Sequence, residues 1–308
     1  MSMNPPISGS VALTHWGVIR ARGDDAAAFL HTQLTNDFSA VGPTQARLAA
    51  YCSAKGRMLA SFVAWEAAPG DILLACHASV LPATLKRLSM FVLRAKCKLS
   101  DASAELPLAG LAGDAARHAC DGVAVWQRRD VAGGQLIRLP DAAGVPRALL
   151  APPALPPDTG LSLDAWRWLE LQSGIPVIES ATVEHFVPQM LNFELVGGVS
   201  FQKGCYPGQE IVARAQYRGT VKRRMFLFDV DAPAAAADEI FASSDPGQPA
   251  GLVANAAPRP DGRGFSVLAE VKLAALEGGS LHLRTPDGPS LARRDLPYPV
   301  PVDAGQAA

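Results

Sequence analysis

From Val221 onward the chain reads as short apolar runs, MFLFDV, GFSVLAEVKL and LHLRT, cut apart by turns rich in proline and glycine. Runs of that length and spacing restrict the last third to a small antiparallel sandwich or barrel. The same rhythm appears earlier in ARLAAYCSAKGRMLASFVAW. There Leu48, Ala50 and Cys52 fall on one face, SAKG supplies a turn with Gly56 free to take positive φ, and Met58, Ala60 and Phe62 form the return strand. Helical patterns interrupt these strands. In GDDAAAFLHTQL, Asp24 can cap a helix whose apolar face includes Phe29, Leu30 and Leu34. In LDAWRWLELQSG, Ser162 or Asp164 can cap, Gly174 with Pro176 stops the helix, and Trp166, Leu169 and Ser173 share a face from which Trp168 and Glu170 point away. Between them APPALPPDTG marks an exposed connection. The mixture reads as an α+β fold.

Composition sets outer limits. At 308 residues with 49% apolar side chains, the chain can bury more than one core, so two or three subdomains are expected. Basic and acidic side chains number 28 and 29, and a net charge of −1 provides no global field for nucleic acid or an anionic membrane. No apolar run reaches spanning length, and MSMNPPISGS lacks the charged and apolar regions of a signal peptide, so a cytoplasmic location is expected. The tail PVDAGQAA is expected to be disordered. Cys52, Cys76, Cys97, Cys120 and Cys205 are odd in number, scattered and without a CxxC pair, which argues against a disulfide framework or an autonomous metal or cluster site.

The stretch FQKGCYPGQE surrounds Cys205 with polar, flexible and charged residues, unlike a buried structural cysteine. Pro207 suits the first turn of a helix, which would place Cys205 just before its positive pole, and Lys203 would add to thiolate stability while Glu210 opposes it. No partner base is evident from spacing: His185 precedes Cys205 by twenty residues, and His15, His31, His77, His118 and His282 can each be ordinary structural histidines. The cations Arg214, Arg218, Lys222, Arg223 and Arg224 read equally well as a solvated helix end and strand start or as a contact for a polyanion.

FVPQMLNFELVGGVSFQKGCYPGQEIVARAQYRGTVKRR strongly resembles the signature of the YgfZ family of folate-binding proteins. AAFLHTQLTND, YCSAKGRM, SGIPVI and LPYP recur in family order, so the resemblance covers nearly the whole chain. Pro207 departs from it, standing where the family more often has threonine. The resemblance implies a fold shared with the T protein of the glycine cleavage system, an aminomethyltransferase: intertwined folate-binding domains over 1–220, then a small C-terminal antiparallel β-barrel over 221–300. It implies tetrahydrofolate as ligand, with Trp16 and Trp166 lining its site, and iron–sulfur enzymes, including those that modify tRNA, as partners. Direct contact with nucleic acid or membrane is not implied. Cys205 would be the working thiol, with Lys203 beside it. T proteins carry acids where this chain has Ala60, Ser61 and Gln172, none of which ionises as a carboxylate does, so aminomethyl transfer is disfavoured. The alternative is a folate-dependent one-carbon transferase with an unknown acceptor.

Overall fold

The computed structural model describes residues 7–39, 42–132, 134–152, 154–155, 157, 159–217 and 221–301. The expected disorder of the tail therefore concerns residues that, apart from Pro301, lie outside the described ones. Helices α1 (Ala26–Gln33), α2 (Leu81–Ser89), α3 (Asp114–Ala119), α4 (Leu163–Gln172) and α5 (Gln209–Tyr217) stand against three antiparallel sheets. The first sheet runs in the order Gly9–Ala12, Ala109–Ala112, Val145–Ala151, Gly134–Ala142, Arg128–Val131. The second runs Ala46–Cys52, Met58–Ala68, Asp71–His77, Trp16–Arg22, Lys98–Asp101. An N-terminal strand thus closes the edge of a sheet whose other members come from beyond residue 108, while the next strand joins a different sheet.

The hairpin forms where the alternation placed it, with one change of register. A bulge between Tyr51 and Cys52 puts Ala60 opposite Tyr51 and Phe62 opposite Ala49, while Leu48 and Ala50 face Val63 and Ser61. Both faces are buried, which explains the near-continuous apolar sequence. Helix α1 starts one residue later than the pattern suggested. Asp25 holds the N-cap position without a side-chain cap bond, because its carboxylate accepts the Lys96 N–H at 2.7 Å instead.

The C-terminal third is a six-stranded antiparallel sheet, ordered Leu281–Leu283, Glu239–Ala242, Asp245–Pro258, Phe265–Lys272, Arg223–Val230, Ala292–Arg294. It has its own core, including Phe226, Phe228, Ile240, Val253 and Val267. The barrel expected from the sequence is found as a curled half-barrel only. Its two edge strands are three residues each, and the first is tied to the run just before the second by an isolated His282–Ser290 bridge, with the Leu291 N–H donating to Leu281 O and the Leu283 N–H to Pro289 O, each at 2.9 Å. Edges that short cannot sustain a closing ladder, and Pro289 has no N–H to give one. Helix α4 lies against this sheet through Trp168, whose Nε1–H donates to Ser266 Oγ at 3.1 Å.

Candidate functional site

Two regions carry the residues singled out in the sequence. The first is centred on α4, which starts because Ser162 Oγ accepts the Ala165 N–H at 3.1 Å. Trp166 and Glu170, four apart, share one side of the helix, and Trp166 Nε1–H donates to Glu170 Oε1 at 2.9 Å. Trp16 opens the strand Trp16–Arg22 and donates its own Nε1–H to the same oxygen at 2.8 Å, while His15 Nε2 meets Glu170 Oε2 at 3.0 Å. The two tryptophans marked as ligand residues are thus brought together by a carboxylate that the sequence reading had pointing away. The i, i+4 spacing to Trp166 was the signal available for it.

These groups border a cavity enclosing about 540 Å³ of empty space, mouth included, walled by Leu13, Trp16, Phe62, Trp126, Leu149 and Trp166, with Arg147 and Glu170 as its charged members. A second space of about 360 Å³, its open mouth included, shares Trp16 and Glu170 and adds His15, His77, Arg167 and Glu179. Burial opposes ionisation of Glu170, but the hydrogen bond and charge of His15, the charge of Arg147 and the Trp166 indole outweigh it, and the carboxyl is held below its ordinary range. Burial brings Arg147 down to about 10, so it remains a cation at neutral pH. His77 is lowered by burial against the opposing pull of Glu179. His15 Nδ1 is buried without a hydrogen-bond partner.

The two tryptophans are not equivalent. Trp166 is 1% exposed, and its ring is so close to Gly110 that a Cβ there would lie 2.5 Å from it, with the Arg147 guanidinium 5.6 Å from the ring centre. Trp16 is only partly buried and borders both spaces. Ser61 lines the cavity but spends its hydroxyl oxygen on the Ile178 N–H at 3.0 Å. Flat apolar walls around one carboxylate suit a planar heteroaromatic ring that donates N–H groups.

The second region is the Cys205 loop. Lys203 is buried; its ammonium donates to the carbonyls of His31 and, at 2.9 Å, Leu34, and lies 4.6 Å from the Tyr206 ring centre. These are the carbonyls that the end of α1 leaves without intrahelical partners, so Lys203 satisfies a helix terminus. Burial lowers its pKa to about 8. The Gln209 N–H donates to Tyr206 O at 3.1 Å across Pro207 and Gly208, and Gly208 has φ +80°. That is a type II turn with proline and glycine at the positions favouring them. Helix α5 therefore begins at Gln209, later than Pro207 suggested, and Cys205 precedes the turn instead of the helix pole. A Cβ on Gly208 would collide with Ser53 O and come within 2.6 Å of Gly56 Cα, so two glycines let the hairpin turn and this loop touch backbone to backbone.

Cys205 is exposed; Cys52, Cys76 and Cys120 are buried and Cys97 is half-buried. Burial pushes the thiols of Cys52 and Cys76 up to about 12 and raises those of Cys97 and Cys120. Two of the five cations beyond the loop are already engaged, Arg223 with Glu270 at 2.7 Å and Arg224 with the buried Glu194, and Arg218 lies outside the described residues. Those pairings explain the two arginines as supports of the C-terminal sheet and its neighbours.

No protein-family model matches the chain. The tRNA-modifying protein YgfZ of Serratia proteamaculans is 30% identical over 306 residues, which cover 94% of this chain and 92% of that protein. Its namesake from Edwardsiella ictaluri is 32% identical over 259 residues, covering 73% and 74% of the two chains. Among solved structures, the glycine cleavage system aminomethyltransferase T from Bartonella henselae superposes with a TM-score of 0.72 over 96% of this chain and 87% of its own, at 17% identity. That likeness shows a common fold and nothing about activity. With a hairpin turn, a helix end and a cysteine loop meeting in one place, and identity at this level along almost the full length, the chain belongs to the YgfZ family.

Proposed function

We propose that the chain is a tetrahydrofolate-binding accessory protein of tRNA modification, acting in the cytoplasm in the maintenance of iron–sulfur enzymes that modify tRNA, with Cys205 as its working thiol. The observation that carries the folate part is the convergence of Trp16, Trp166 and His15 on Glu170 at the border of an apolar cavity. The residues present fit a pterin: Trp16 and Phe62 offer flat apolar surface, and the Glu170 carboxylate stands among them as an acceptor for ring N–H groups. When bound, a reduced folate supplies one-carbon or redox chemistry. The chain's own residues orient the ring, exclude water with apolar walls and keep one negative charge in place. The printed names of the relatives support the link to tRNA modification.

The proposed division of labour places ligand binding in residues 1–220, in two intertwined subdomains, and leaves 221–300 as a separate β unit. Its partners are folate and iron–sulfur enzymes, without need of nucleic acid or membrane. Cys205 suits the thiol role because it is the exposed cysteine, in a loop held on both sides by Lys203 and Gly208. Lys203 serves it by position: its N–H groups are spent on helix carbonyls, while its charge still attracts a thiolate at Cys205.

The one-carbon transferase reading draws on a different observation, since Glu170 supplies the cavity carboxylate that Ala60, Ser61 and Gln172 do not. A carboxyl held low by His15, Arg147 and Trp166 is a weak base at neutral pH, so it suits anchoring better than proton transfer. The deciding experiment is complementation of a deletion strain read out by tRNA methylthiolation, with purified protein incubated in parallel with methylene-tetrahydrofolate. Loss of methylthiolation rescued by the wild type and not by Cys205→Ser is the expected result. Full rescue by the serine variant removes the thiol from the proposal, and turnover of the folate with a small acceptor selects the transferase.

A further inference from the structure

Between Asp71 and Asp101 the sequence holds five cations, Lys86, Arg87, Arg94, Lys96 and Lys98, and no acid, in a chain whose net charge is −1. Amid them stand Met90, 66% exposed, Phe91, 44% exposed, and Leu93, 85% exposed, three large apolar side chains at the surface within four positions. Helix α2 buries Leu81, Thr84 and Leu88 and ends at Ser89, so the residues after it leave its buried face. Backbone bonds hold them in place all the same. The Phe91 N–H donates to Leu88 O and the Leu93 N–H to Phe91 O, each at 3.0 Å. Lys96 is clamped to the start of α1, its N–H donating to Asp25 Oδ2 at 2.7 Å and its carbonyl accepting the Asp25 N–H at 3.2 Å. A Cβ on Gly23 would lie 2.0 Å from the Lys96 carbonyl oxygen, so the two backbones touch there. A fixed loop that keeps apolar side chains in water gains free energy when another surface covers them.

Charge decides what kind of surface that is. Lys96 faces Asp24 across 3.8 Å and Arg87 lies beside Tyr51, which leaves Lys86, Arg94 and Lys98 exposed and without an ion pair among the described residues. Lys86 stands four residues before Met90 at the end of α2 and Arg94 follows Leu93, so cations flank the apolar tip on both sides. A second copy of the chain would set the same positive charge against it. Phosphates of a nucleic acid would answer the cations and leave Met90 and Leu93 with no apolar counterpart. The next strand, Lys98–Asp101, ends the second sheet, and its outer edge pairs with no strand among the described residues. Backbone groups on such an edge are matched by another polypeptide and not by a lipid headgroup. We propose that Met90, Phe91 and Leu93, flanked by Lys86, Arg94 and Lys98, form a docking surface for another protein, one that presents an extended segment of acidic residues alternating with apolar ones. The surface shares no wall with either space around Glu170, so it stands whether or not a folate binds there.

The test uses the full chain and a fluorescein-labelled octapeptide alternating glutamate and leucine, read by anisotropy, with a glutamate–serine and a lysine–leucine octapeptide as controls. The wild type is expected to bind the glutamate–leucine peptide about tenfold or more tightly than either control, since one control lacks the apolar side chains and the other the negative charge. Leu93→Ser should weaken that binding about tenfold, as expected for the loss of one covered leucine. Arg94→Glu should weaken it as much at low salt and less at high salt, because an exposed charge is screened. Equal binding of the three peptides, or undiminished binding by a folded Leu93→Ser variant, overturns the proposal. If circular dichroism shows that variant unfolded, Arg94→Glu decides, and unchanged binding there overturns it equally. Sedimentation of the chain with bulk tRNA, with phosphatidylserine vesicles and alone covers the other occupants. Association in any of these that Leu93→Ser abolishes, alongside equal binding of the three peptides, assigns the surface to RNA, to lipid or to a second copy and overturns the protein partner.

Discussion

Glu170 gathers two indoles and an imidazole on two oxygens at the border of the apolar cavity. A Glu170→Gln amide offers one acceptor oxygen and no charge, so at least one of the three donors is stranded in a buried place. We expect a loss of about 1–3 kcal/mol in stability by denaturant titration, and roughly tenfold or more weaker tetrahydrofolate binding by calorimetry if the carboxylate meets the ring. The pH dependence has a definite sign. Because the folded carboxyl is held below its ordinary range, the unfolded chain binds the extra proton in acid; the stabilisation is present above the unfolded pKa and is lost as pH falls through the folded one. The glutamine variant should lack that part of the acid limb. Trp16 and Trp166 are expected to differ in kind. Trp166→Ala removes a fully buried ring clamped by Gly110 and should cost about 3–5 kcal/mol of stability. Trp16→Ala removes a half-exposed wall and should chiefly weaken folate binding and its quenching of tryptophan fluorescence. Equal folate affinity in a folded Trp16→Ala protein would place the ligand elsewhere.

At the scale of elements, the contact between the hairpin turn and the cysteine loop admits no side chain at Gly208. Gly208→Ala meets Ser53 O and adopts a left-handed conformation at once, so a loss of about 1–3 kcal/mol and looser protection of α5 in hydrogen exchange are expected. Lys203 couples α1 to the same loop. Its folded pKa of about 8 lies below the ordinary 10.5, so between those values the unfolded chain holds more protons and stability gains as pH rises. Lys203→Met should abolish that alkaline gain while freeing the carbonyls of His31 and Leu34. Thermal melts of both proteins at about pH 7.5 and pH 10 read the difference, and parallel curves would show that the lysine is not the source.

Across the whole molecule, segments far apart in sequence meet in pairs. HTQLTND meets KGCYPGQE through Lys203, YCSAKGRM meets it through Gly56 and Gly208, and SGIPVI meets LPYP where Tyr298 O–H donates to Gly174 O at 2.6 Å. The last contact ties the end of the chain to the end of α4, whose other face carries Glu170 and Trp166. Truncation before Leu296 should therefore lower folate affinity as well as the melting temperature, although no truncated residue lines the ligand cavity. Tyr298→Phe should lose about 0.5–1.5 kcal/mol by the same measurement. A truncated chain with unchanged affinity would show that α4 holds its position without this clasp.

Much of this protein was legible from pattern. Alternating apolar residues with glycine and proline stops located the hairpin, the C-terminal strands and the cap and end of α4, because local spacing and backbone sterics act within a few residues. The exposed thiol was legible too, since the polar residues around Cys205 do not suit a core. Three things waited for the fold. Whether the last sheet closes depends on edge strands of three residues that meet across a turn, a balance local propensity does not set. That Glu170 faces the cavity depends on which side of α4 lies against the rest of the chain, and Trp168, bonded to Ser266, takes the other side. That His31 stands beside the Cys205 loop, about 170 residues away in sequence, depends on Lys203 reaching the end of α1. Sequence settles what short-range sterics and hydrophobic period control; pairing of distant charges and donors is decided by tertiary packing, which alone brings them within bonding distance.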